Sequence, residues 1–533
     1  MKKTSKQRER FLDLVVYEIY PRSFRDSNDD GVGDLRGVIE KVDYLKELGV
    51  NAVWLCPCYQ SPNADNGYDV SDYLSIAKEF GTFADWERLK EKLHARDIKI
   101  FMDLVANHTS VEHQWFQESR KSKNNPYRKY YYWSKTPKPN WKCLVGGSAW
   151  EYDEETGEYY LHSFSKEQPD LNWTNPKVRE EMRKVVDFWI DKGVDGFRCD
   201  MLDFIAKDFK KGKMYEGARL HKYVRKVFRR ANKEGLFLVG ECQANEKSIR
   251  AVCGEKRKEL TCVFQFDHFS IGRKDKFTPA PFSLDELKKT LVKWQNFTQK
   301  RGLLYTLFTD NHDQPFYLSR LGNDRNLRYE SATAFATIFF LLRGIPFLYQ
   351  GQEYGAVNPR YRGISCFRDV ETIKYFEENR LKYTASELMK KINFGSRDNA
   401  RRPMAWTQTP PYYGFSRKDS WIPVHSRAEE VNLERDRRSD KSVFAFYQKL
   451  LALRRDNSAL RQGAFTALKK GTGCFVYERK GEEEIFTVVC NFEKEREISL
   501  KGVGEKVLSN YASESGNEKY RPYEIAVFKR KIK

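Results

Sequence analysis

Gly196-Phe197-Arg198-Cys199-Asp200 (GFRCD) is a short apolar run interrupted by two charged residues standing two apart, the second of which ends it. Side chains alternate along an extended strand, so Arg198 and Asp200 point to the same side. Taken alone, this is an ordinary same-face ion pair. Three other apolar runs, however, end in ionisable groups: Asp103-Leu104-Val105-Ala106-Asn107-His108, Val239-Gly240-Glu241-Cys242 and Asp310-Asn311-His312-Asp313-Gln314. Four such endings at the same relative place converge on one mouth made of strand ends, where a parallel barrel collects its chemistry.

Working outward, β-branched and aromatic runs predict strands at Val15–Tyr20, Ala52–Pro57, Ile98–Val105, Gly196–Leu202, Leu236–Cys242, Cys262–His268, Leu303–Thr309 and Pro346–Gln350. Helical periodicity lies between them. Val38, Val42, Leu45 and Leu48 share one face, and Val178, Met182, Val185 and Trp189 share another in a helix that stops at Gly193. Eight strands alternating with helices make the chain α/β, a (β/α)8 TIM barrel. Between the third strand and the helix opening near Asn175 lies a long stretch rich in Tyr, Trp, Lys, Pro and Gly, read as an inserted domain after strand 3. After Gly463 only strand-like segments remain, and a C-terminal antiparallel β-sandwich is expected. The boundaries drawn are 1–107 and 175–462 for the barrel, 108–174 for the insertion and 463–533 for the sandwich.

With 533 residues, 40% of them hydrophobic, the chain is long and apolar enough for a large core, and extended disorder is excluded. The aromatic share of 14% suits stacking on flat ligands. A net charge of +20 would fit nucleic acid or an anionic substrate, but no nucleic-acid module is found, and the Lys and Arg clusters at 207–233 and in the tail FKRKIK read as solvated helix faces. The apolar run at Ala334–Leu342 is cut by Arg343, Gly344 and Pro346, too short for a membrane span, and MKKTSKQRER does not lead into a cleavable signal. Ten scattered cysteines without a zinc-type CxxC pair are expected to be buried free thiols, and the protein is expected to be cytoplasmic, a monomer or homodimer.

Carboxylates with His and Arg, but without metal-ligand spacing, suit acid/base and covalent chemistry at a carbon centre. Glycoside hydrolysis needs one carboxyl group as acid and another as nucleophile or base, about 5–5.5 Å apart when configuration is retained. Neighbouring strand ends carrying Asp200 and Glu241 can meet that span. Arg198 would keep Asp200 ionised, while desolvation and adjacent anions would keep the proton on Glu241. Asp313 is left to stabilise developing charge. Separately, the stretch 26–34 (DSNDDGVGD) sets Asp26, Asn28, Asp30, the Val32 carbonyl and Asp34 around a Gly turn, a cage for a hard cation. An EF-hand would need Glu at the twelfth position, where Gly37 stands, so a calcium sensor is not indicated.

The motifs DLVANH, GFRCD, VGEC and TDNHD, in this order, resemble the strand-end motifs of the α-amylase superfamily of retaining α-glycosidases. Closer similarity is to the oligo-1,6-glucosidase and α-glucosidase branch, through YEIYPRSFRDSNDDGVGDLRG, DNGYDV (65–70), QPDLNW (168–173), SRDNARRPMAW (396–406) and SWIPV (420–424). The resemblance implies Asp200 as nucleophile, Glu241 as acid/base and Asp313 as transition-state stabiliser. It implies His108, Arg198 and His312 around the −1 sugar, Tyr68 as its stacking platform, and Asp65 with Arg397 closing the non-reducing end, Arg401 being the lesser candidate for that last role. It also implies a structural Ca²⁺ on the 26–34 loop and no organic cofactor. Three departures concern substrate choice: Met201 follows the nucleophile where relatives carry Val, Ala or Thr, Phe316 stands for Arg, and Arg402 for Thr. The expected activity is exo-acting hydrolysis of isomalto- or malto-oligosaccharides. The alternatives are a phosphosugar hydrolase, such as one acting on trehalose 6-phosphate, and a sucrose-isomerising or transglycosylating relative. Scaffold and nucleic-acid roles are disfavoured, because no membrane helix is found and all three carboxylates are present.

Overall fold

Eight strands alternate with helices along the chain: β1 Val16–Ile19, β2 Ala52–Leu55, β3 Lys99–Val105, β4 Gly196–Asp200, β5 Phe237–Gly240, β6 Cys262–Val263, β7 Thr306–Leu307 and β8 Ile345–Tyr349. All eight predicted strands are present, and the fold class is α/β, a (β/α)8 barrel. β6 and β7 are shorter than the apolar runs that announce them, because the aromatics beyond them pack as rings in turns; Phe266 meets Phe308 at 5.4 Å. The computed structural model describes residues 6–243, 245–254, 256–257, 259–511 and 519–532, so part of the basic N-terminal stretch lies outside the described residues. Two compact units result, one of Met1–Val53 with Gln265–Lys533 and one of Trp54–Phe264, their boundary falling inside β2.

In the unit 54–264, β3, β4, β5 and β6 pair in parallel, each with the next. Gly196 opens β4 because no side chain fits there: a Cβ would meet the Phe237 carbonyl oxygen at 2.3 Å and the Phe101 ring at 2.9 Å. Those neighbours, Phe101 and Phe237, stack at 4.8 Å beneath the strand ends. The helix Pro176–Asp191 feeds β4. Asn175 caps it by accepting from the Lys177 N–H, Pro176 presets the first turn, and it ends before Gly193 at φ 89°. Its buried stripe of Val178, Met182, Val185 and Trp189 is the one read from the sequence. Burial of each such side chain contributes roughly 1.5–3 kcal/mol. The stretch between β3 and this helix folds around a three-stranded antiparallel sheet, with Trp133–Ser134 and Trp150–Asp153 flanking Glu158–Leu161. Trp141, Cys143, Ala149, Trp150 and Leu161 form its core. An isolated bridge from His108 to Asp170 ties its two ends together.

In the other unit, β1 and β7 both pair in parallel with β8. The helix Arg328–Phe340 carries apolar residues all round and is buried from Glu330 onward. Five antiparallel strands make the C-terminal sheet, in the order Ala464–Leu468, Cys474–Lys480, Glu484–Asn491, Ile525–Lys531, Glu505–Ser509. Among the described residues a short ribbon faces it, Arg496–Glu497 with Lys519–Tyr520, and the space between is filled by Cys474, Val476, Val489, Ile498, Tyr520 and Ala526. Two helices not read from the sequence, Val370–Asn379 and Ala385–Gly395, pack on Phe367, Leu388, Met389 and Ile392 just before Arg397. None of the ten cysteines is in a disulfide, and nine of them are buried. Among the described residues no helix is long and apolar enough to cross a membrane.

Candidate active site

Strand register builds the centre of the unit 54–264. Asp103 on β3 pairs with Arg198 on β4, and Val105 with Asp200. On the other side Gly240 pairs with Cys199, so that Glu241, the next residue, comes level with Asp200. Three carboxyl groups are thereby brought to one guanidinium. Arg198 Nη1 donates to Asp103 Oδ1 at 2.9 Å, Asp103 Oδ2 at 3.0 Å and Asp200 Oδ1 at 2.8 Å, while Nη2 donates to Glu241 Oε2. Burial alone would strip the charge from Arg198, but Asp103, Glu241, Tyr68 and Asp200 outweigh it and hold the guanidinium firmly protonated. The Tyr68 hydroxyl donates to Asp103 Oδ2 at 3.0 Å, as does Trp54 Nε1 at 3.2 Å. Asp103 is therefore the buried anchor of both Arg198 and Tyr68.

His108 sits beside this cluster. Its Nε2 lies 3.1 Å from the Tyr68 carbonyl and its Nδ1 3.2 Å from Asn107 Nδ2. Burial pushes it down to about 4, so it is a neutral imidazole at physiological pH. Gln168 Nε2 approaches His108 Nε2 at 3.1 Å and donates to Asp65 Oδ2 at 3.2 Å, which brings Asp65 into the same array. The Lys207 side chain is wholly buried, its Nζ bonded to Asp170 Oδ2 at 2.9 Å, Asn107 Oδ1 at 2.8 Å and the Phe204 carbonyl at 2.8 Å. Met201, directly after Asp200, adopts φ 34°, a left-handed conformation that an L side chain enters at a cost.

The unit holding residues 1–53 and 265–533 carries a second cluster. Asp313 Oδ1 accepts from Arg401 Nη2 at 2.8 Å and Arg397 Nη1 at 3.2 Å, and its Oδ2 lies 3.1 Å from His312 Nε2. Burial pushes its carboxyl upward, yet His312, Arg397 and Arg401 prevail and hold it well below the usual carboxylate range. Glu18 Oε1 stands 2.6 Å from His312 Nδ1 and fixes that ring. Arg397 is held in turn by Asp369, whose Oδ1 accepts from Nε at 2.9 Å and Nη2 at 2.6 Å. Arg397 and Arg401 both reach Asp313.

In the 26–34 loop most of the side-chain oxygens are set by a backbone N–H. Asp26 Oδ1 accepts from Asn28 and Asp29, Asp26 Oδ2 from Gly31, Asn28 Oδ1 from Asp30, and Asp30 Oδ1 from Val32. Asp34 also caps the helix Leu35–Glu40 through Gly37 N at 2.7 Å. An all-oxygen set with its lone pairs oriented in this way fits a hard cation.

Asp103, Asp369, Glu18, Lys207 and Asp170 were not singled out from the sequence. Asp103 could have been: it is a carboxylate inside a strand run, opposite an arginine in the next. Nothing in the local sequence marks Asp369.

The family model of the alpha amylase catalytic domain matches residues 18–463. The oligo-1,6-glucosidase of Parageobacillus thermoglucosidasius is 43% identical over 97% of this chain and 98% of its own. The glucan 1,6-alpha-glucosidase of Streptococcus pneumoniae is 40% identical over 93% and 94%. Among solved structures, the trehalose-6-phosphate hydrolase of Bacillus licheniformis superposes with a TM-score of 0.91 at 37% identity, covering 97% of this chain and 99% of that one. With the strand-end carboxylates in place and the match running nearly end to end, the chain belongs to the α-amylase family and is a glycoside hydrolase of the α-glucosidase, oligo-1,6-glucosidase type.

Proposed function

We propose that this α-glucosidase removes glucose from the non-reducing end of short isomalto- or malto-oligosaccharides by double displacement with retention. The observation that carries this reading is the sharing of one guanidinium by two carboxyl groups, Asp200 on Nη1 and Glu241 on Nη2 of Arg198. A rigid planar fork confines its acceptors to neighbouring positions. Closeness of that kind suits a retaining pair, whereas an inverting pair stands roughly 6.5–9.5 Å apart to admit a water.

In the first step an Asp200 oxygen bonds to the anomeric carbon as the bond to the leaving oxygen breaks, and Glu241 gives its proton to that oxygen. In the second, Glu241 takes a proton from water, the water oxygen bonds to the anomeric carbon, and Asp200 departs as carboxylate. Arg198 favours the ionised Asp200 and turns it toward the carbon. Neutral His108, its N–H turned to the Tyr68 carbonyl, can line the sugar site without adding a positive charge that would oppose the oxocarbenium ion. His312 is assigned to the same sugar, and Tyr68 supplies the stacking ring. Asp313, kept anionic by its arginines, favours the developing positive charge. Asp65 and Arg397 are assigned to the non-reducing end, which makes the enzyme exo-acting.

Asp26, Asn28, Asp30, the Val32 carbonyl and Asp34 would hold Ca²⁺, whose contribution is stiffness in that loop. Ten cysteines, none of them in a disulfide, support a reducing, cytoplasmic setting. The test is NMR of the first product from isomaltose, maltose and trehalose 6-phosphate. Release of α-glucose from the plain disaccharides is expected. β-Glucose would overturn retention, and faster turnover of the phosphorylated sugar would move the substrate to that class.

A further inference from the structure

Glu241 is fixed to the nucleophile strand by more than Arg198. Its N–H donates to the Cys199 carbonyl at 2.9 Å and its carbonyl accepts from Leu202 N at 2.8 Å, which the left-handed turn at Met201 makes possible. A third bond follows two residues on, where Gln243 N donates to Asp203 Oδ2 at 2.7 Å. These three rungs join residues 199–203 to residues 241–243, and only the last uses a side chain. Asp203 is 1% exposed.

The other oxygen of that carboxyl, Oδ1, is buried without a hydrogen-bond partner, and so is Oε1 of Glu216. Glu216 N donates to the Asp203 carbonyl at 3.1 Å. The corner is rigid: Glu216 has φ 53°, and a Cβ on Gly217 would meet the Ala206 carbonyl oxygen at 2.6 Å. Two orphaned carboxyl oxygens on residues joined by a backbone hydrogen bond can both be satisfied when one carries a hydrogen and donates it to the other. We propose that Asp203 is a positioning residue for Glu241, its carboxyl forming the side-chain rung of this ladder while holding one proton in common with Glu216.

Four groups face Asp203: its pair partner Glu216, Glu241 and Cys242 from the turn after β5, and Lys207. Burial, with Glu216 and Glu241 adding to it against the Gln243 N–H, brings Asp203 up to about 7. The Lys207 charge is answered by Asp170. As pH rises the pair loses its proton, and an anion at Asp203 then favours the protonated form of Glu241.

The test is the pH profile of kcat/KM for Asp203→Asn and Glu216→Gln, with Asp203→Leu at one pH. Asparagine keeps an acceptor for Gln243 but removes the anion, so its alkaline limb should move down by at least half a pH unit. Glutamine can donate to Asp203 and leaves it ionised, so that limb should stay or move up. Leucine removes the rung, and kcat should fall at least tenfold with KM within threefold. An unmoved limb in Asp203→Asn, a parallel shift in both variants, or wild-type kcat in folded Asp203→Leu overturns the inference. If Asp203→Leu does not fold, the two profiles decide. The inference rests on Glu241 as acid/base. That reading fails separately, by Glu241→Gln retaining turnover of plain disaccharides; if it stands and this inference is wrong, Glu241→Gln is inactive and the Asp203→Asn limb is unmoved.

Discussion

Replacing Asp103 by Asn tests whether the site depends on its buried anchor. Asp103 is fully buried and accepts from Arg198 Nη1 with both oxygens, and from Tyr68 and Trp54 with Oδ2. An asparagine that keeps its oxygen at the Oδ2 position retains the Tyr68 and Trp54 bonds but turns an amide N–H toward the guanidinium. What is lost is a charge-assisted hydrogen bond, about 1.5–3 kcal/mol. Arg198 still has Asp200 and Glu241, so the full cost of an unpaired buried charge does not arise. The guanidinium is then drawn toward those two groups and carries Asp200 with it. A displacement on the order of 1 Å costs roughly 10²-fold in rate, equivalent to about 2.7 kcal/mol in the barrier. The expectation is a kcat on an aryl α-glucoside lowered about 10²-fold, with thermal unfolding of the same sample at a modestly lower temperature. A kcat within threefold of wild type, or a loss accounted for entirely by unfolded protein, refutes this reasoning.

Asp200→Asn should lose on the order of 10⁴ or more in kcat with unchanged far-UV circular dichroism, since the nucleophile has no deputy; a kcat within about 10²-fold of wild type in the purified variant would remove Asp200 from that role. His268 is buried among Phe269, Phe308, Tyr317 and Phe339, and burial pushes it down to about 3. The unfolded chain takes up that proton from about 6.5 downward, so this histidine costs stability progressively as pH falls below that value. His268→Phe should therefore gain about 2 kcal/mol relative to wild type between pH 7 and pH 5, measured by urea unfolding, and a constant difference would contradict the buried neutral state. If the 26–34 loop takes Ca²⁺, saturating ion at 100 times its Kd should stabilise the protein by about 2.7 kcal/mol, seen as a higher melting temperature. Asp30→Ala should abolish that response, and the absence of any response in wild type would dismiss the ion.

The strand-end residues were legible because a barrel strand is apolar until it reaches the mouth, and a charge at that point stands out from its own neighbours. Arg198, Asp200 and Glu241 were identified in this way, and His312 and Asp313 by the same rule. Asp369 was not legible. It lies in a loop ahead of a helix, where a carboxylate is common, and only its two bonds to Arg397 distinguish it. Lys207 shows the opposite difficulty: it opens a lysine-rich stretch that reads as solvated surface, yet its ammonium is enclosed by Asp170, Asn107 and Phe204.

By itself the sequence determined the order of strands and helices, the identity of the strand-end carboxylates and the oxygen-rich loop, because these depend on local periodicity and on residue chemistry at adjacent positions. Tertiary structure decided which groups share a proton or a guanidinium. Asp103 meets Arg198 across 95 residues and Gln243 meets Asp203 across 40, and such pairings are set by strand register and burial, which no short window of sequence contains.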